Sequence, residues 1–186
     1  MKIAYIITGS FCNHKASLDA LALLAREHEI IPVVSFNTAC TCTRFGTADD
    51  MNARISEICG RSVVATIEEA EPVGPVLSPD IAVIAPCTGN TLAKIAHGIS
   101  DTPATLAVKA HMRSGRPTLI ALCTNDALSG NFKNIATMYQ RKNVYFVPMI
   151  QDDIKNKPSS LVADFSRIPE AVFAATEGRQ LLPLFM

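Results

Sequence analysis

The hydrophobic positions of the chain follow two alternating rhythms. "KIAYIIT" (2–8) is short and almost wholly apolar, the pattern of a parallel strand covered on both faces. "ASLDALALLAREH" (16–28) repeats apolar residues every three or four positions through Leu18, Leu21 and Leu24, which predicts a helix laid on a sheet. "EIIPVVSF" (29–36) is a second strand, whose Pro32 suits an edge or irregular position because proline cannot donate to a ladder. "DDMNARISEICG" (49–60) is a helix with acidic residues at its positive end and Gly60 at its stop. Strand "DIAVIAP" (80–86), helices "TLAKIAHG" (91–98) and "TPATLAVKAHMRSG" (102–115), strand "PTLIALC" (117–123), helix "NIATMYQRKN" (134–143) and strand "VYFVP" (144–148) follow. "SSLVADFSRIPEAVFAATEG" (159–178) closes the series as a helical region interrupted near Pro169.

Strands alternating with helices imply an α/β fold, a mostly parallel sheet with helices on both faces. No repeat, low-complexity tract or linker divides it, so residues 1–186 are expected to form a single domain. In such sheets ligands bind beyond the carboxyl ends of the strands. That rule selects "TGSF" (8–11), "SFNTA" (35–39), "PCTGNT" (86–91) and "CTNDA" (123–127), all rich in hydroxyls, amides and small residues. Gly9 lets backbone approach a ligand closely, and Ser10 adds a hydroxyl beside helix amides that favour an anion. Ser35 offers a second hydroxyl, and Thr88, Gly89, Asn90 and Thr91 sit at another helix start. Neither G-x-G-x-x-G after the first strand nor G-x-x-x-x-G-K-[ST] occurs, so a mononucleotide such as FMN suits these ends better than NAD or ATP.

Composition narrows the function classes. Lysine plus arginine equals aspartate plus glutamate, 17 each, which gives no footprint for nucleic acid or an anionic membrane surface. No apolar run reaches the roughly 18 residues of a membrane span. The opening "MKIAYIITGSFCNHK" lacks a cleavage pattern, so a cytoplasmic protein is expected. Cysteines 12, 40, 42, 59, 87 and 123 form no C-x-x-C pair, and the histidines have no ligand spacing, so no metal site is expected.

"PCTGNTLAKIAHGISD" (86–101) resembles a segment of the flavoprotein superfamily that includes cysteine decarboxylases and flavin prenyltransferases, where it lies against FMN or reduced FMN. The opening "TGS" and the "S-x-N" after the second strand match as well. Within the superfamily the chain is most similar to the dipicolinate synthase B-subunit family, through "FNTACTCTRFG" (36–46), "AEPVGPVLSPDIAVIAPCTGNTLAKIAHGISD" (70–101), "TNDAL" (124–128) and "FVPMIQDDIKNKPSSLVA" (146–163). The resemblance implies a flavodoxin-like three-layer αβα fold and FMN bound by Gly9, Ser10, Phe11, Ser35, Asn37, Thr88, Gly89, Asn90, Thr91, Thr124 and Asn125. It also implies homo-oligomers (trimers or dodecamers), a dehydrogenase-like A subunit carrying NADP, and a place in the mother cell during sporulation. The reaction implied is oxidation of dihydrodipicolinate, or its hydroxytetrahydro form, to dipicolinate.

Two departures separate the chain from its other relatives. The decarboxylases carry a histidine shortly before the third strand, whereas here none stands between His28 and His97. Their P-x-M-N segment is replaced by "LCTN", keeping only Asn125, and Thr124 stands where the prenyltransferases hold phosphate with an arginine. An FMN-dependent decarboxylase, a prenyltransferase-like enzyme and a flavin-binding module without turnover stay open as alternatives. A dicarboxylate substrate requires cations. Arg44 in "TRFG" is the first candidate, against a reading as a surface arginine in a loop, and Lys155 and Lys157 are weaker. Asp126 and the Asp152–Asp153 pair are candidate acid/base groups. His97 reads as a partner of its own helix end, Asp101 as a cap or orienter of the next helix, and Cys87 and Cys123 as thiols without an activating base.

Overall fold

A computed structural model describes residues 1–186. In chain order the elements are β1 (Lys2–Ile7), α1 (His14–Leu24), β2 (Glu29–Val34), α2 (Phe36–Cys40), α3 (Ala48–Cys59), α4 (Ile67–Ala70), β3 (Ile81–Thr88), α5 (Gly89–Ala96), α6 (Pro103–Met112), β4 (Thr118–Thr124), α7 (Phe132–Tyr139), β5 (Val144–Phe146), β6 (Met149–Ile150), β7 (Leu161–Ala163) and α8 (Ile168–Thr176). The 7-stranded sheet has the order β2-β1-β3-β4-β7-β6, and β5 also pairs with β4. Strands β1 to β5 run parallel, while β6 and β7 join antiparallel at one edge. β2 is the other edge, which accommodates Pro32.

The continuous apolar runs follow from burial on both faces. Alternate residues of one strand enter different cores, because side chains switch face at every position. Ala4, Ile6, Ala82, Ile84, Ile120 and Leu122 pack with α5, α6 and α7. Tyr5, Ile7, Val83, Ala85, Leu119 and Ala121 pack with α1, α3 and α8 on the opposite face. The result is the three-layer αβα arrangement. No helix is long and apolar enough to cross a membrane.

The closing segment departs from its expected helical reading. Leu161–Ala163 forms strand β7 against the end of β4, and α8 starts only at Ile168. Pro169 does not interrupt that helix; it occupies the first turn, where its missing N–H costs no hydrogen bond. The two-residue β6 and the one-turn α4 lack enough sequence for any periodicity to show. α1 also runs from His14 to Leu24, earlier than its apolar spacing indicates at both ends.

Candidate functional site

Chain order turns on β1, since β2 lies to one side of it and β3 to the other, and the crevice beyond that reversal is where an α/β sheet takes ligands. The ladder slips between Ile84 and Cys87, around Pro86. Thr8 bridges the slip: its hydroxyl donates to the Pro86 carbonyl at 2.8 Å and accepts the Thr88 amide at 3.0 Å. The buried Tyr5–Ser17 pair fixes α1 beneath, with Ser17 Oγ donating to the Ala85 carbonyl at 2.6 Å. The ends of β1 and β3 are therefore held rigidly side by side.

Two adjoining lobes open above them. The larger, about 640 Å³, is lined by Gly9 to Asn13, Arg44, Phe45, Thr88 to Asn90, Cys123 to Asn125, Asp152, Lys157 and Val162. The second, about 420 Å³, is lined by Gly9, Ser35 to Asn37, Thr88, Asn90, Thr91, Lys94, Asp101 and Thr102. Gly9, Thr88 and Asn90 border both. All four strand ends selected by sequence meet here, and every residue expected to bind cofactor lines one lobe or the other.

The local chemistry refines their roles. Thr88 caps α5: its hydroxyl accepts the Thr91 amide at 3.2 Å and donates to Thr91 Oγ1 at 3.0 Å. The Asn90 amide, in the first turn, has no intrahelical acceptor and is open to an anion, whereas the pairing of Thr88 with Cys123 turns the Gly89 amide towards β4. Ser35 caps α2, accepting the Thr38 amide at 3.3 Å, so its hydroxyl serves the fold first. Thr124 is likewise occupied, donating to Asp126 at 2.5 Å.

Gly89 is where two loops close on α5. A Cβ there would lie 2.5 Å from Thr124 Oγ1 and 2.6 Å from Asn131 Nδ2. Its absence of a side chain keeps the loop after β4 tight against the cleft.

Charge is arranged in three groups. Arg44 sits in the Thr43–Gly46 turn, with its guanidinium carbon 4.9 Å from the Phe45 ring centroid, and forms none of the chain's ion pairs. Lys157 pairs with Asp152 at 3.4 Å. Lys94 binds both oxygens of Asp101 at 2.8 Å and holds that carboxyl below the usual range.

Asp101 is therefore not the cap of α6. Thr102 takes that place, exchanging hydrogen bonds with Thr105, because its backbone is extended where a cap needs it. Asp126 does not line the cleft either. Its carboxylate accepts from Thr124 and from Asn131 at 2.9 Å, and those bonds hold it ionised below the usual range. Asp153 closes a turn with the Asn156 amide and lies outside the cleft, as does Lys155. Asp152 does line it. Its carboxyl is held low first by the Ser160 hydroxyl, which lies outside strict hydrogen-bond geometry, and then by Lys157. His97 Nδ1 meets the Ala93 carbonyl at 2.9 Å, the helix-end role its position implied. Burial raises both strand-end thiols, Cys123 to about 12 and Cys87 further, so both stay protonated. Sequence reasoning missed Lys94 as a site residue, although it stands one helical turn after Asn90.

The sequence model of the Flavoprotein family matches residues 1–166. The chain belongs to this family. Among Flavoprotein members it is 38% identical to the dipicolinate synthase B subunit of Bacillus subtilis (strain 168), over 100% of this chain and 93% of that protein. The crystal structure of the dipicolinate synthase B subunit from Bacillus halodurans superposes with a TM-score of 0.91 at 35% identity, covering 100% of this chain and 95% of that one. An FMN-dependent cysteine decarboxylase is more distant, with a TM-score of 0.67 at 25% identity over 94% and 97% of the two chains. The B-subunit likeness spans the full length of the chain, at higher identity and TM-score than the cysteine decarboxylase likeness.

Proposed function

We propose that the two-lobed cleft binds FMN and that the chain is the flavin-carrying B subunit of a dipicolinate synthase. With an NADP-binding A subunit it takes part in oxidising dihydrodipicolinate, or its hydroxytetrahydro form, to dipicolinate. The observation that carries the reading is the convergence of four strand ends on one cleft, with the start of α5 and Lys94 at one end and the unpaired Arg44 at the other. The cleft suits the group: its volume exceeds the roughly 300 Å³ at which small-ligand sites begin, and a Cβ on Gly9 would press to 3.4 Å of Asn37. The Asn90 amide, the Thr91 hydroxyl and Lys94 would hold the phosphate beside Gly89, and Phe11, Asn125 and Thr124 would border the ring. A bound flavin supplies an acceptor for the hydride equivalent lost as the substrate ring becomes aromatic.

The chain's own part is to bind and orient. Arg44 presents a planar fork suited to a carboxylate, and its turn reaches over the larger lobe. Replacing Arg44 with alanine is expected to leave FMN affinity within a few-fold and to weaken dipicolinate binding about ten- to a hundred-fold, the worth of a charge-assisted bond of roughly 1.5–3 kcal/mol. Lysine should restore only part. Loss of FMN itself would instead place Arg44 on the flavin, and unchanged affinity for both ligands would remove it from the site. Homo-oligomers, trimers or dodecamers, belong to the same reading; the exposed Phe36 and Phe45 beside the cleft are apolar surface for them.

One observation favours a second reading, a flavin-holding module without turnover of its own. Asp152, the sole carboxylate facing the larger lobe, is already paired with Lys157, so no free acid or base faces it. Mixing the FMN-loaded chain with substrate, with and without the A subunit and NADP, separates the two. Bleaching of the flavin band by substrate supports turnover on this chain. An unchanged oxidised spectrum while dipicolinate forms supports the module.

A further inference from the structure

α5 begins at the strand-end cleft and ends, about 12 Å away by its rise per residue, at a different opening. There the end of α5, one face of α6 from Thr105 to Met112, and Arg141 beyond α7 line an open cavity of about 300 Å³. Ile95, Ile99 and Met112 give it an apolar floor, and Lys109, Arg113 and Arg141 stand around it. No carboxylate lines it, and none of these cations belongs to an ion pair of the chain. In a protein of zero formal charge, three cations left together without a counter-charge are a local excess.

Helix ends explain part of the excess. Lys109 and Arg113 close α6, where the helix dipole favours cations. Arg141 follows α7 and reaches across to the end of a second helix, with Nη2 donating to the last carbonyl of α5, that of Ala96, at 3.0 Å. This bond fixes the guanidinium and leaves most of its five donors unused. Lys109 is steadied by Ser100 Oγ at 3.3 Å, and Gly98, at φ +75, turns the chain at the end of α5 along the cavity's edge. Cations brought from two elements onto an apolar floor select for a ligand that is both anionic and apolar.

We propose that this cavity is a second ligand site, separate from the strand-end cleft, for a small polyanion with an apolar or aromatic body. A volume of about 300 Å³ lies at the small end of ligand pockets and below what a helix of a partner protein fills, which favours a small molecule over an acidic segment. The site does not depend on the FMN reading.

Calorimetric titration of the full chain in saturating FMN tests it, with benzene-1,3,5-tricarboxylate and inorganic pyrophosphate as probes. Saturable binding is expected, tighter for the aromatic probe because only it covers the apolar floor. Arg113→Gln and Arg141→Gln should each weaken it about ten-fold or more, while Arg44→Ala leaves it unchanged. Arg113 is exposed, so its variant keeps the test valid if the Arg141 variant unfolds. The proposal is overturned if neither probe saturates at millimolar concentration. It is equally overturned if Arg44→Ala abolishes binding and Arg113→Gln does not, which would place the probe in the strand-end cleft. Binding of a poly-glutamate peptide alone would replace it with a macromolecular contact.

Discussion

In the variant Gly89→Ala the new methyl carbon would lie 2.5 Å from Thr124 Oγ1, 2.6 Å from Asn131 Nδ2 and 3.1 Å from Thr124 Cβ. Real Cβ contacts do not persist below 3.0 Å, so the neighbours must move. They are not free to do so. Thr124 and Asn131 both bond the Asp126 carboxylate, and Asn131 is in turn fixed by Asn134 at 2.8 Å. Overpacking of this kind costs about 1–3 kcal/mol, and partly disturbing a hydrogen bond to a carboxylate adds a fraction of the roughly 1.5 kcal/mol such a bond is worth. Alanine returns only part, because the advantage over glycine in a helix is about 0.5–1 kcal/mol and less in the first turn. The net expectation is a loss of about 1–3 kcal/mol, at about 2–4 °C of melting temperature per kcal/mol for a chain of this size. FMN affinity should fall as well, since the displaced residue stands next to the Asn90 amide at the start of α5 and lines the larger lobe. Denaturant unfolding at fixed protomer concentration and an FMN titration measure both effects. Gly130→Ala is the control, because its Cβ would meet only Asp126 Oδ2, at 3.4 Å. If Gly89→Ala matches wild type in both assays while Gly130→Ala also does, the tight-loop account of the cleft is wrong.

Lys94→Ala should weaken FMN about ten-fold or more, because it removes a cation and uncovers the Asp101 carboxylate beside the phosphate; Asp101→Asn should leave affinity equal or tighter, and equal losses in both variants would show that the pair only braces α5. His14 and His111 are buried, and desolvation pulls both imidazoles below their ordinary range. The unfolded chain then binds protons that the folded chain refuses, so stability is complete above the ordinary value of about 6.5 and falls as pH drops through it towards the folded values. Denaturant midpoints should decline from about pH 7.5 to pH 5.5, before carboxylates protonate; a flat or rising midpoint over that interval would contradict the burial of these rings.

The parallel core was legible because strands buried on both faces write themselves as apolar runs, and "DIAVIAP" and "PTLIALC" leave little else to read. The site was legible for a topological reason: β/α alternation fixes which ends of the strands share an edge, so Gly9, Ser35, Thr88 and Asn125 could be grouped without coordinates. What stayed hidden depends on contacts between segments distant in sequence. β7 is three residues long and takes its identity from the end of β4, and the helix-like spacing around it masks that pairing. Thr124 and Asp126 look like ligand and acid in a polar loop, yet Thr124 donates to Asp126 and Asp126 also accepts from Asn131, which only the folded loop reveals. Lys94 and Asp101 are seven residues apart and lie on either side of the turn after α5, so neither a cap nor a helical pair announces them.

The central claim is that the strand ends form a site for a phosphate-bearing flavin, and a paired fluorescence titration of the purified chain with FMN and with riboflavin tests it most directly. Saturable quenching of FMN is expected, with riboflavin bound more weakly by at least about a hundred-fold, the value of two or more charge-assisted bonds from α5 and Lys94 to the phosphate. Equal affinity for the two flavins, or no saturable binding of FMN, would contradict it.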